Sequence, residues 1–338
     1  MKQVSVEALG RNVSCIGFGC ASLGSRVGAR NGIEALERAY EAGINWYDVA
    51  PSYGDGMAES ILGEFVSRKR DRVYVCTKVG MRPPATPAAM RLLKPLSRIA
   101  IKMLPALQGL VPKVRPAPFK TPLSAELIRT SLEESLRCLR TDYVDVLALH
   151  RPTPEELARE DIVRTAERMI ADGKARAVSI AGDLEAGMRG LDNSLPYRLV
   201  QVANTPYTPN LGTLRAHASP SRTFVSHGTF SCLNQLIAQL SSQPEIPRAL
   251  NELGYRGNLA EIAATFLADY ALATNSAGIT LFSMLQKQHL DFNLLRLNNQ
   301  SKPERLDPIG AALREGRRQS NPMSHSPFSP KQRDPVSR

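Results

Sequence analysis

Asn45-Trp-Tyr-Asp-Val-Ala-Pro-Ser-Tyr-Gly54, Ala58-Glu-Ser-Ile-Leu-Gly-Glu-Phe-Val-Ser67 and Val73-Tyr-Val-Cys-Thr-Lys78 follow one another as a strand, a helix and a second strand. A short β-branched run, a helical pattern and another β-branched run make one parallel βα unit. The pattern repeats on both sides of this stretch. Strand-like runs stand at Val13–Phe18, Asn45–Val49, Val73–Thr77, Val144–Leu149, Ala175–Ile180, Leu199–Ala203, Thr223–Ser226 and Gly278–Phe282. Helical patterns lie between and after them at Gly32–Ala42, Ala58–Ser67, Ala125–Leu139, Ile162–Asp172, Leu259–Leu272 and Lys287–Leu297. Ser124 suits the cap of the helix that begins at Ala125, and Leu132, Leu136 and Leu139 give that helix its apolar side. Eight strands alternating with helices point to an α/β (β/α)8 TIM barrel rather than an open doubly wound sheet. Gly17, Gly19 and Gly24 do not match the dinucleotide fingerprint that such a sheet would carry after its first strand. In a barrel the chemistry belongs at the C-terminal strand ends.

The chain has 338 residues, of which 43% are hydrophobic, so wholesale disorder is excluded. No run approaches the roughly 18 apolar residues of a membrane span. Met1 to Leu9 lacks the basic and apolar regions of a signal peptide. Cys15, Cys20, Cys76, Cys138 and Cys232 are odd in number and scattered, which fits neither a disulfide framework nor a metal site. A reduced, cytoplasmic setting is expected. The formal net charge of +11 raises nucleic acid as a partner, but the excess is local. Residues 82–120 hold eight cations and no acid, and residues 296–338 hold nine cations against four acids. The rest of the chain is close to neutral, and Phe119 alone interleaves the first cationic segment, so no nucleic-acid binding is expected.

Four ionisable residues stand at or just after the ends of three strand-like runs: Asp48, Tyr53, Lys78 and His150. A lone Lys or His after a strand is most often structural. All four at successive strand ends would face one pocket.

Asp48-Val-Ala-Pro-Ser-Tyr-Gly54, Ala58-Glu-Ser-Ile-Leu-Gly63, Thr77-Lys-Val-Gly80, Ser131-Leu-Glu-Glu-Ser-Leu-Arg-Cys-Leu-Arg-Thr-Asp-Tyr-Val-Asp145, His150-Arg-Pro152 and Gly173-Lys-Ala-Arg176 resemble, in order, the segments of the aldo-keto reductase family. The resemblance runs from about Val13 to Asn293. It implies a nicotinamide-dependent reduction of a carbonyl, and by it the family's catalytic tetrad falls on Asp48, Tyr53, Lys78 and His150. The chemistry agrees. Reduction makes an alkoxide that needs a proton, and a phenol near its ordinary pKa of about 10 gives one up slowly at neutral pH. Lys78 beside Tyr53 is expected to pull that pKa down, with Asp48 holding the lysine. His150 would donate a hydrogen bond to the substrate oxygen.

At the cofactor site the sequence departs from the family. The Ser-Asn pair expected after the fifth strand is Ala181-Gly182, while the family Gln on the sixth is kept as Gln201. Losing two side-chain contacts costs about 1–3 kcal/mol if nothing replaces them. Where NADP-selecting members have a basic residue, a Ser or Thr and then an Arg, this chain has Ser283, Met284 and His289, with Lys287 nearby and Asn293 retained against adenine. NADP is the expected cofactor, with NAD close behind. Three functions compete: reduction of an aldehyde, ketone or sugar carbonyl with NAD(P)H; an NAD-dependent aldose dehydrogenase; and a nicotinamide-nucleotide sensor or scaffold with little turnover. The partner is a small-molecule carbonyl compound.

Residues 1–297 are read as the barrel, with residues 82–120 inserted after the third strand. Within the insertion, residues 90–111 are amphipathic, with Arg91, Lys94, Arg98 and Lys102 on one side. A packed surface insertion is the plain reading; a lid beside the active-site mouth or a contact with anionic membrane or an acidic partner are the alternatives. Residues 298–338 form a basic Pro/Ser-rich tail, expected to be largely disordered apart from a short helix at Pro308–Arg318.

Overall fold

The computed structural model describes residues 1–83, 118–298 and 302–320. An antiparallel hairpin, β1 (Gln3–Val6) and β2 (Arg11–Ser14), precedes the barrel. Eight parallel strands then close on themselves in the order β3 (Ile16–Gly19), β4 (Trp46–Asp48), β5 (Tyr74–Val79), β8 (Val144–His150), β9 (Ala175–Gly182), β10 (Tyr197–Ala203), β11 (Thr223–His227) and β12 (Ile279–Phe282), which pairs back onto β3. Two short strands, β6 (Met81–Arg82) and β7 (Phe119–Lys120), pair with each other outside the barrel. The helices are α1 (Ala29–Glu41), α2 (Ala58–Val66), α3 (Ala125–Leu139), α4 (Pro154–Ala158), α5 (Glu160–Ala171), α6 (Leu184–Gly190), α7 (Asn210–His217), α8 (Leu233–Ser242), α9 (Glu245–Glu252), α10 (Leu259–Thr274), α11 (Lys287–Asn298) and α12 (Pro303–Ser320).

Strands such as β8, Val-Asp-Val-Leu-Ala-Leu-His, are buried on both faces, as a parallel sheet under helices requires. The one acid inside that strand, Asp145, is fully enclosed. It accepts from Arg70 Nη2 at 2.8 Å, from the Val75 backbone N–H at 2.8 Å and from Arg176 Nη1 at 3.0 Å. These bonds tie β8 to β5 and β9. Ser124 caps α3 by accepting from the Leu127 N–H at 3.1 Å, as its sequence position predicts. Asn258 and Glu261 form a reciprocal capping box that starts α10.

Three expectations need correction or limits. The run Val13–Phe18 is not one strand. It breaks at Cys15: Val13 belongs to β2, and the barrel strand starts at Ile16. The alternation of β1, with Val4 and Val6 buried, supplies the hairpin partner that makes β2 a separate element. The tail is not largely disordered over its first part. Residues 303–320 are helix α12, longer than the short helix expected from Pro308. Leu306, Ile309 and Leu313 recur at helical spacing and are buried against α8, α9 and α10. Burying three aliphatic side chains contributes about 1.5–3 kcal/mol each, which outweighs the roughly 3 kcal/mol cost of a proline inside a helix. The remaining tail, 321–338, and the amphipathic stretch 90–111 lie outside the described residues. What is described of the insertion is its stem: β6 leads out, β7 leads back, and Thr121 N–H donates to Gly80 O at 2.8 Å. No helix among the described residues is long and apolar enough to cross a membrane.

Candidate active site

The C-terminal ends of the barrel strands open into a cavity of about 890 Å³, and Asp48, Tyr53, Lys78 and His150 all line it. Asp48 is the last residue of β4, Lys78 stands next to last in β5, and His150 ends β8. Parallel register along these three strands carries their side chains into one space. Tyr53 comes from the turn after β4, where Gly54 adopts φ +59°. A Cβ at Gly54 would lie 1.5 Å from Leu23 O, so only glycine lets the turn close beneath the tyrosine.

Lys78 Nζ forms an ion pair with Asp48 Oδ1 and donates to Val49 O at 3.2 Å. Both partners are buried. Burial pushes the Lys78 amine down, but Asp48, Tyr53 and Cys76 together more than reverse it, and the amine is held charged. Lys78 Nζ sits 5.1 Å from the centre of the Tyr53 ring, and the Tyr53 and His150 rings meet edge to face at 6.1 Å. Burial pushes the Tyr53 phenol up; Lys78 pulls it down without cancelling the rise, and Asp48 adds to it. The lowered phenol expected from the sequence is therefore reversed: desolvation by the surrounding strands wins over a lysine already paired with an acid. Burial, reinforced by the charges of Lys78, His227 and Arg151, lowers His150 to about 3. Its ring is neutral at neutral pH. His150 Nδ1 and Asp48 Oδ2 are buried without a hydrogen-bond partner among the described residues.

The residues expected at the cofactor end divide into two groups. Gln201 and Ser283 line the same cavity, beside Ala181 and Gly182. Asn293 is buried on α11, and its Oδ1 has no partner among the described residues. Lys287 and His289 are exposed on the first turn of α11 and do not line the cavity; Lys287 Nζ is bound to Asp291 Oδ2 at 2.6 Å. Met284 packs into the barrel core. The residues present thus fit a nicotinamide nucleotide through Gln201, Ser283 and the unspent acceptor of Asn293. They supply little for a 2′-phosphate.

Sequence reasoning missed two groups at the mouth. His227 ends β11 and faces the cavity, in the same position on its strand as His150 on β8. Arg151, at φ +55°, lines the cavity and donates its backbone N–H to Ala181 O at 2.7 Å. The same rule that singled out His150, an ionisable residue closing a strand, would have found His227. The insertion's stem also reaches the mouth: Met81, Pro118 and Lys120 line the cavity, and Lys120 Nζ pairs with Glu156 Oε2 at 3.1 Å.

A closed parallel barrel with an Asp, Tyr, Lys and His gathered at its C-terminal mouth defines a class of protein, and the comparisons agree with it. Residues 15–210 match the model of the aldo/keto reductase family. The chain belongs to that family. It is 29% identical over 219 residues to a D-threo-aldose 1-dehydrogenase from a Pseudomonas species, covering 59% of each protein. It is 26% identical over 193 residues to the L-galactose dehydrogenase of Arabidopsis thaliana, covering 54% of this chain and 50% of that one. The chain thus spans between half and three fifths of these relatives' lengths. In fold it is similar to the holo form of an aldo-keto reductase from Bacillus halodurans, with a TM-score of 0.66 at 18% identity over 93% of this chain and 96% of that one. A Klebsiella pneumoniae aldo-keto reductase in complex with NADPH gives 0.65 at 19% identity, again over 93% and 96%. The sequence match ends before β11, β12 and α11.

Proposed function

We propose that this protein is an NAD(P)-dependent oxidoreductase that interconverts an aldehyde, ketone or sugar carbonyl and its alcohol, with Tyr53 exchanging the proton at the carbonyl oxygen. The observation that carries the reading is the convergence of Tyr53, Lys78, Asp48 and His150 on one cavity, with the lysine held charged by a buried acid. A bound nicotinamide cofactor supplies the hydride in reduction and takes it in oxidation. Gln201, Ser283 and Asn293 are the residues that would hold it. Tyr53 keeps its proton at neutral pH because burial disfavours the phenolate. It is therefore loaded as an acid for reduction, and Lys78 stabilises the charge left on the phenol oxygen once the proton has gone. His150, neutral, donates to the substrate oxygen and sets its approach to Tyr53. Asp48 acts through Lys78. Oxidation of NADPH and NADH, followed at their absorbance with a panel of aldehydes, tests this. Turnover should fall by about 10²–10⁴-fold in Tyr53→Phe; turnover unchanged in that variant would refute the assignment.

NADP is the first reading of the cofactor, from the family. A second reading, an aldose dehydrogenase that uses NAD, draws on a specific observation: Lys287 is tied to Asp291 and Met284 is buried, so neither stands ready for a phosphate. The names of two relatives, an aldose and a galactose dehydrogenase, support the aldose part of this reading. Isothermal titration with both reduced cofactors separates the two, tighter binding of NADPH than of NADH removing the second.

A further inference from the structure

Five acids are buried among the described residues, and Asp48, Asp145, Glu156 and Asp269 are each paired with a cation. The fifth, Glu59, forms no ion pair among the described residues. It stands in the first turn of α2 and does not line the reaction cavity; it borders a separate one of about 320 Å³. Its Oε1 accepts from Thr77 Oγ1 at 2.6 Å. Burial pushes the Glu59 carboxyl up, and Thr77 and Ser135 pull it back without cancelling the rise. An acid shut away from water without a cation is costly. An acid in a first helical turn suits the helix dipole, but an exposed one would serve that purpose as well. What the short bond holds in place is therefore the question.

One end of the bond leads to Lys78. Successive side chains of a strand point to opposite faces, so Lys78 lines the cavity while Thr77, the residue before it on β5, is turned to α2 and fully buried. The other end leads to Tyr53. Tyr53 N–H donates to Ala50 O at 3.0 Å, Gly54 N–H to Ala21 O at 3.1 Å and Met57 N–H to Gly54 O at 3.2 Å, and α2 begins at the next residue. The register of β4 with β5 ends at Asp48 and Cys76, with a last bond from Val49 N–H to Cys76 O at 2.9 Å. The Glu59–Thr77 bond ties the two sides together one residue further along. It joins the segment that carries the phenol to the strand that carries the ammonium, and Lys78 Nζ stands 5.1 Å from the Tyr53 ring centre across that join.

We propose that Glu59 is a positioning residue, which through Thr77 holds Lys78 at the distance from Tyr53 that proton transfer needs. This rests on the reading of Tyr53 and Lys78 given above.

Thr77→Val removes the hydroxyl and keeps the branched shape, Thr77→Ser keeps the hydroxyl, and Glu59→Leu/Thr77→Val removes both polar ends. Each is measured in the full chain by kcat and KM for an aldehyde, by urea unfolding, and by the NMR resonances of the Tyr53 ring, assigned with Tyr53→Phe. In Thr77→Val kcat should fall about ten-fold or more while KM stays within about two-fold, and the Tyr53 resonances should move. Thr77→Ser should restore most of both. The double variant leaves no buried polar group without its partner, so its stability should recover relative to Thr77→Val while kcat stays low. A kcat that recovers along with stability overturns the proposal, because the bond then serves the fold alone. So does an unchanged kcat in Thr77→Val, or an equal loss in Thr77→Val and Thr77→Ser. If Thr77→Val does not fold, the double variant decides: low kcat supports the proposal and normal kcat overturns it. If the wild type reduces no aldehyde, the proposed reaction fails, and the role of Glu59 is read from the Tyr53 resonances. Movement in Thr77→Val and none in Thr77→Ser supports it, and any other pattern overturns it.

Discussion

Replacing Lys78 with Met takes the cation out of a pair whose side chains are only 1% and 3% exposed, and leaves the Asp48 carboxylate facing apolar strands. Asp48 Oδ2 already lacks a partner, so little remains to hold the charge. Breaking one side of a buried pair costs about 3–5 kcal/mol. Asp48→Asn strands the ammonium instead, with the neutral carbonyl Val49 O at 3.2 Å still accepting from it, and should cost a similar amount. The double variant Asp48→Asn/Lys78→Met buries no charge at this point. Its cost should fall short of the sum of the single costs by about 2 kcal/mol or more. Urea unfolding with linear extrapolation measures all three against the wild type. Single costs that add to within about 0.5 kcal/mol would mean that the two groups do not interact, and would refute the reasoning. Activity should not follow stability: all three variants should lose turnover, the two that carry Lys78→Met because Tyr53 has lost its charged partner, and Asp48→Asn because the ammonium is no longer held in place. A double variant that regains both would refute the role given to Lys78.

Three further outcomes follow from single features. Gly54→Ala puts a methyl group into Leu23 O at a positive φ, so it should destabilise by more than about 2 kcal/mol and, by displacing Tyr53, cut kcat by about 10²-fold; normal turnover would show that the turn is not what positions the phenol. Leu313→Ala removes a fully buried side chain of α12 and should cost about 2–5 kcal/mol in denaturant unfolding, whereas a cost below about 1 kcal/mol would mean that the helix is not docked. His150 titrates at about 3 when folded, against an ordinary value near 6.5. Between these values the unfolded chain takes up a proton that the folded chain refuses, so stability falls as pH falls through this window. From pH 6.5 to 5 the wild type should lose about 1.5 kcal/mol more than His150→Gln, and equal losses would show that the ring is not held neutral.

The barrel was legible because β-branched runs and helical patterns alternate with little interruption, and burial on both faces keeps such strands uniformly apolar. The grouping of Asp48, Lys78 and His150 at one mouth was legible for the same reason: once the strand ends are known, these residues stand at them in the sequence itself. What failed were features set by tertiary partners. Nothing local divides Val13–Phe18; the break at Cys15 exists because Gln3–Val6 folds back and claims Val13. The helix expected from Pro308 begins instead at Pro303, and the stripe of Leu306, Ile309 and Leu313 carries it through Pro308 only because a second apolar cluster stands opposite. The Tyr53 phenol was misjudged in direction because sequence lists its charged neighbour but not the depth of its burial. His227 was passed over although it obeys the rule that found His150, since no family segment drew attention to its strand.

Two buried carboxylates, on the strands either side of β5, show how the fold separates structure from chemistry. Asp145, near the N-terminal end of β8, accepts from two arginines and a backbone N–H, and both of its oxygens are engaged. Asp48, at the C-terminal end of β4, has one oxygen on Lys78 and one with nothing among the described residues. An unpaired buried polar atom alone marks no site, since Trp46 Nε1 and atoms of Arg222 are also orphaned. Position decides. At the cavity Asp48 Oδ2 and His150 Nδ1 stay unspent on residues of one cluster, at the strand ends that line the cavity. Each such atom costs about 1–3 kcal/mol, and the saturated network at the far end of β5, β8 and β9 holds the strands in register against that cost. Removing an arginine from Asp145 should therefore lower stability first and turnover only as a consequence, the reverse of what Tyr53→Phe should do.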